Sequence, residues 1–121
     1  MANIFTQTGE ELFTDILDGT TAAPTWAIAM GTGTGTAAKG DTALGTESPE
    51  DRVASTMSQP SADQNQWLSL ITATGTRAII ECGVFDSTTE GGSIMIERSD
   101  FAAINIVSGD KIEFTIIGTH S

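Results

Sequence analysis

Three sets of residues in this chain have types and spacing that could do chemistry: a glycine-rich loop, a lone thiol and imidazole, and scattered carboxylates. The loop runs Gly31-Thr32-Gly33-Thr34-Gly35-Thr36 and continues through Ala37, Ala38, Lys39 and Gly40. Gly33, Gly35 and Ala38 satisfy a G-x-G-x-x-A spacing, the pattern that cradles a dinucleotide phosphate when a helix opens at the glycines. Here Gly40 and Asp41 interrupt any such helix, and the Walker pattern is absent because Lys39 is followed by Gly40. A flexible surface loop is the expectation. Cys82 lies in the apolar run Ala78 to Phe85 and reads as a buried small hydrophobe rather than an activated thiolate. His120 is the penultimate residue, where a frayed chain end holds no base in register. Without a positioned histidine there is no nucleophilic triad, and one His with one Cys makes no zinc site.

Carboxylates are the remaining chemistry. Glu81 falls within a strand pattern. Turned inward alone, it would gain the raised pKa of a general acid; otherwise it is solvated or paired with Arg77 or Arg98. Glu47, Glu50 and Asp51 cluster beside Pro49, and Asp86 and Glu90 flank a turn, but neither group matches an EF-hand loop. Trp26 and Trp67 could stack on a sugar, yet their Ile and Leu neighbours favour core packing. No catalytic residue, cofactor or metal ligand is assigned.

The elements that must position these residues are mostly strands. One helix is legible: Thr8 and Glu11 have capping-box spacing, Leu12, Phe13, Ile16 and Leu17 share a face, and Gly19 suits a left-handed C-cap. Strand patterns follow over Thr25 to Met30, Arg52 to Gln59, Gln66 to Thr74, Thr76 to Phe85, Ser93 to Arg98, Ala103 to Val107 and Lys111 to Ile117. Asp41 to Leu44 has the pattern of one helical turn. Gly75 is expected to make Thr76 to Phe85 the hairpin partner of the strand before it, and Gly91-Gly92 centres the Asp86 to Gly92 turn. This pattern predicts a mainly β chain: an antiparallel β-sandwich, jelly-roll-like, with one short N-terminal helix. Residues 1–8 are expected as an N-terminal arm and 9–121 as a single β-sandwich domain with a helix over 9–18.

Composition narrows the function classes. The 121 residues carry 16 Asp and Glu against 5 Lys and Arg, a formal net charge of −11. Nucleic-acid binding requires clustered cations, and docking on an anionic membrane requires them too, so neither partner is expected. One cysteine allows no intrachain disulfide. No apolar run is long enough for a transmembrane helix, and Met1 to Thr8 lacks the basic and apolar regions of a secretory signal.

Two ordered blocks resemble a known class. The first is Trp26-Ala27-Ile28-Ala29-Met30-Gly31-Thr32-Gly33-Thr34, then Asp41-Thr42-Ala43-Leu44-Gly45-Thr46-Glu47 and Arg52-Val53. The second is Ile80-Glu81-Cys82-Gly83-Val84-Phe85-Asp86, Gly91-Gly92, Ile96-Glu97-Arg98-Ser99-Asp100-Phe101 and Ser108-Gly109-Asp110-Lys111-Ile112-Glu113-Phe114. Together they resemble small virion structural proteins of tailed bacteriophages, variously capsid decoration (cement) proteins or tail-associated proteins. The resemblance implies a non-enzymatic protein made in the bacterial host cytoplasm and carried on the capsid surface as a homotrimer, with the major capsid protein as partner. A tail-associated or fibre-attachment role is the alternative, and a carbohydrate-binding module the third. Under the leading reading, Ile4 and Phe5 of the arm and Thr32, Gly33 and Thr34 of the loop are the candidate interaction residues.

Overall fold

A computed structural model of the chain describes residues 2–90 and 93–120. Its elements are β1 (Ala2–Phe5), α1 (Gln7–Leu17), β2 (Ala27–Gly31), β3 (Val53–Ala54), β4 (Thr56–Ser58), β5 (Gln64–Thr72), β6 (Arg77–Phe85), β7 (Met95–Ile106) and β8 (Lys111–Thr119). They form two antiparallel sheets, ordered β1-β7-β6-β2-β3 and β4-β5-β8. The main core lies between them, with Ile28, Met30, Cys82, Val84 and Ile96 of the first sheet meeting Trp67, Ile71, Phe114 and Ile116 of the second. A smaller core of Ala29, Leu44, Phe85 and Met95 sits on the opposite face of the larger sheet. The mainly β architecture with one helix therefore stands as expected.

Several boundaries differ, each for a physical reason. The helix begins at Gln7 rather than residue 9, because Thr6 is its N-cap: its hydroxyl accepts the Gly9 amide at 3.0 Å and donates to the Met95 carbonyl at 2.5 Å. Gly9 presses on β7 so closely that a Cβ there would lie 2.5 Å from Ile96 Cα, so the first turn needs a glycine. Leu12 is buried and Phe13 and Ile16 half-buried, but Leu17 is 89% exposed and leaves the expected face. Gly19 does adopt the left-handed conformation, at φ +80°.

Residues 2–5 of the expected arm form β1, which pairs with β7 from Ala2↔Asp100 to Phe5↔Glu97. The arm is thus an edge strand of its own sheet. The Arg52 to Gln59 strand breaks at Ser55, whose amide and hydroxyl both donate to the Trp26 carbonyl, at 2.8 and 3.1 Å, so β3 and β4 enter different sheets. β5 and β6 are not a hairpin: β5 pairs with β4 and β8, and β6 with β2 and β7. Burial explains the separation. Residues 81–85 of β6 are buried on both faces and need a central position, whereas β5 alternates and leaves one face to solvent. The two stretches Ser93 to Arg98 and Ala103 to Val107 merge into the single strand β7, and Asp41 to Leu44 is irregular rather than helical. The Gly91-Gly92 centre of the 86–92 turn lies outside the described residues.

Candidate functional site

The segment between β2 and β3 folds back over the outer face of the larger sheet. There the glycine-threonine loop meets a carboxylate. Glu81 of β6 is fully buried, and it accepts the Gly33 amide at 2.7 Å, the Gly45 amide at 2.8 Å and the Thr46 amide at 2.9 Å. Arg98, its neighbour on β7, donates to the same carboxylate through Nε (3.2 Å) and Nη2 (3.0 Å). Arg98 then reaches Asp41 at 2.9 Å and the Gly35 carbonyl at 3.4 Å. A buried carboxylate is tolerable here because its lone pairs are filled and its charge is matched.

Several loop amides thus converge on an anion, as in a phosphate cradle, but that anion is the side chain of Glu81. The expected flexible loop is pinned from beneath. Gly31 and Gly33 are required by the close approach: a Cβ on Gly33 would lie 2.3 Å from the Thr46 amide and 2.5 Å from Glu81 Oε2. Thr32 closes the loop by donating its amide to the Thr46 carbonyl at 2.9 Å, while Thr34 is exposed. The loop is also tied sideways to α1, through the Lys39–Glu10 ion pair and the Gln7 amide on the Lys39 carbonyl.

Two further arginines fasten the end of this segment. Arg52 is buried, holds Glu47 through Nε and Nη2 at 3.0 and 2.9 Å, and donates to the Ser87 and Thr89 carbonyls and the Ser93 hydroxyl. Its guanidinium lies 3.7 Å above the Phe85 ring. Glu50 accepts from the Thr74 amide and hydroxyl and from Arg77. Burial works to raise its pKa, but those hydrogen bonds outweigh it and hold the carboxyl at about 2, from an ordinary 4.5. Asp41 is likewise lowered: burial opposes its ionised form, and the Ala38 amide and Arg98 overcome that. Exposed Glu90 moves the other way, raised by its hydrogen bond to Glu47 and by that residue's charge.

The candidate interaction residues divide between two faces. Ile4 stands opposite Arg98 in the β1–β7 register, so it shares the outer face with the loop. Phe5 points the other way, into an aromatic cluster: its ring centroid is 5.5 Å from Phe13, 6.4 Å from Trp67 and 5.3 Å from His120, on which it stacks. Trp26 and Trp67 meet edge to face at 6.4 Å, and Trp67 is buried, so both tryptophans serve the core.

His120 is held, not frayed: Nε2 lies 2.8 Å from Asn65 Oδ1, and its amide donates to the Asp63 carbonyl at 2.8 Å. The Cys82 thiol is pushed up to about 12, mainly by burial, with nearby Glu97 and Glu81 adding to the shift, so it carries no thiolate at neutral pH. Among the described residues, no group of three His, Cys, Asp or Glu is arranged to hold a metal ion, and no helix is long and apolar enough to cross a membrane. The pairing of Glu81 with Arg98 was an alternative visible in the sequence. The roles of Arg52 and Glu50 were not, since apart from nearby Glu47 their partners lie 24 to 41 residues away. The available signal was scarcity: with 5 basic residues against 16 acids, each arginine has carboxylates competing for it.

The chain matches no protein-family model, no curated protein and no solved structure.

Proposed function

We propose that this protein is a non-enzymatic structural component of a tailed-phage virion, a capsid decoration protein that binds the outer shell and bridges major capsid proteins. The observation that carries the reading is the Glu81–Arg98–Asp41 knot. It draws Asp41 of the first resemblance block and Glu81 and Arg98 of the second into holding a loop in place. Other motif residues do similar work: Phe85 supports Arg52, Leu44 fills the outer core, and Gly109 turns β7 into β8 at φ +93°. Such residues specify a stiff outer surface, which suits a ligand that stabilises a lattice by binding only its assembled form.

Charge supports the choice of partner. Lys39, Arg52, Arg77 and Arg98 are all engaged in internal ion pairs, so the outward field is strongly negative and fits a basic patch on a shell protein. Localisation by electron microscopy on intact virions tests the role. Density spread over the shell at high copy number is the expected result, and density confined to the tail would overturn it. Attachment to shells should weaken as salt rises, since it depends on opposite charges.

A further inference from the structure

The two sheets leave one side of the molecule incompletely closed. β1 covers β7 at residues 97–100 and stops there, so Phe101–Ile106 of β7 continue as an edge. Across from this stretch, β8 is the outer strand of the smaller sheet. Between them lies an apolar groove of about 360 Å³ lined by Phe101, Ile104, Ile112 and Phe114, with Cys82 and Ser99 at its base. Ile104 is 42% exposed and Val107, at the turn joining the two strands, 54%. Leu70, 49% exposed, stands beside Glu113 on the outer face of the smaller sheet. Three of the chain's exposed large apolar side chains therefore gather at this end.

The charges on β8 indicate what covers the groove. Lys111 and Glu113 are exposed on the same face of β8, two residues apart, and among the described residues neither makes an ion pair. Among the described residues, every other lysine and arginine is in an ion pair. If two copies approach with their β8 starts antiparallel about a two-fold axis through Ile112, Lys111 of each falls directly opposite Glu113 of the other. Ile112 then meets its own symmetry mate over the groove. The arrangement is self-complementary, as a two-fold contact requires. It also shields a strand edge rich in β-branched residues that would otherwise be open to pairing.

We infer that a second copy of this chain docks on the β7–β8 groove, held by two reciprocal Lys111–Glu113 ion pairs around a shared apolar contact. The contact is two-fold, unlike the trimer the phage resemblance implies, and it is measured on the isolated chain, independently of any virion. Sedimentation of the isolated chain at sub-millimolar concentration should give the mass of two 12.6 kDa chains. Lys111→Glu and Glu113→Lys should each weaken association about tenfold or more, because each sets like charges opposite one another twice. The double variant Lys111→Glu/Glu113→Lys should restore wild-type association. Both residues are exposed, and circular dichroism checks that each variant folds. A single-chain or three-chain mass overturns the inference. So does a Glu113→Lys variant that associates as well as wild type or better, the result expected if general repulsion between acidic chains were all that mattered.

Discussion

At the level of single residues, Glu81 is the most consequential side chain. Its carboxylate is what an external anion would be in a phosphate loop, so removing it should leave a vacant anion site. Glu81→Ala is expected to cost about 3–5 kcal/mol, since it strands several amides and part of the Arg98 charge. Formate should raise the melting temperature of that variant, and not of the wild type, by refilling the cradle. Equal shifts in both proteins would show that the amides do not converge as described. Gly33→Ala should destabilise by about 1–3 kcal/mol in chemical denaturation, because its Cβ meets backbone and carboxylate rather than a movable side chain. Glu50 gives a pH dependence of definite sign. Its folded pKa of about 2 lies below the ordinary 4.5, so the folded state binds its proton less readily than the unfolded chain. The resulting stability is fully present above about pH 5 and is lost as pH falls toward 2, an effect of roughly 3 kcal/mol. Glu50→Gln should flatten the stability profile in that window.

At the level of elements, the chain's N-terminal segment does its work locally. Thr6 caps α1 and anchors it to β7, so Thr6→Ala should cost about 1–2 kcal/mol in thermal or denaturant melts. A loss well below that would mean the Met95 contact contributes nothing. Phe5→Ala removes a ring that touches Phe13, Trp67 and His120, and should cost about 3 kcal/mol or more. The strands were legible because period-2 alternation and Gly or Asp turns are local signals. The strand neighbours were not. β5 and β6 looked like a hairpin because Gly75 separates two apolar runs, yet only burial on both faces of β6 decides that it belongs at the centre of the other sheet. The helix start was misplaced for a similar reason: Thr8 has the better capping-box spacing, but the carbonyl of Met95, 89 residues away, selects Thr6. The same limit hid the site. Glu81 and its candidate partner Arg98 could be named from the sequence, but the amides of Gly33, Gly45 and Thr46 that complete the cradle are backbone groups with no sequence signature.

For the molecule as a whole, the long separation in sequence between paired strands has a consequence for how the chain acquires its structure. β1 finds its partner almost a hundred residues later, at Glu97 to Asp100, and the Gly33 loop closes on Glu81, 48 residues on. Pairings this distant require large loops to close before any contact repays the lost entropy, which places the protein among slow-folding topologies. During synthesis β1 and α1 emerge well before β7, the strand they dock on, and they wait until it has left the ribosome. The β1–α1 segment is therefore among the last of these elements to settle. Pulsed hydrogen exchange during refolding should show the amides of Asn3 to Phe5 gaining protection together with, or after, those of Glu97 to Asp100. Protection of the first strand ahead of the seventh would contradict this order of events.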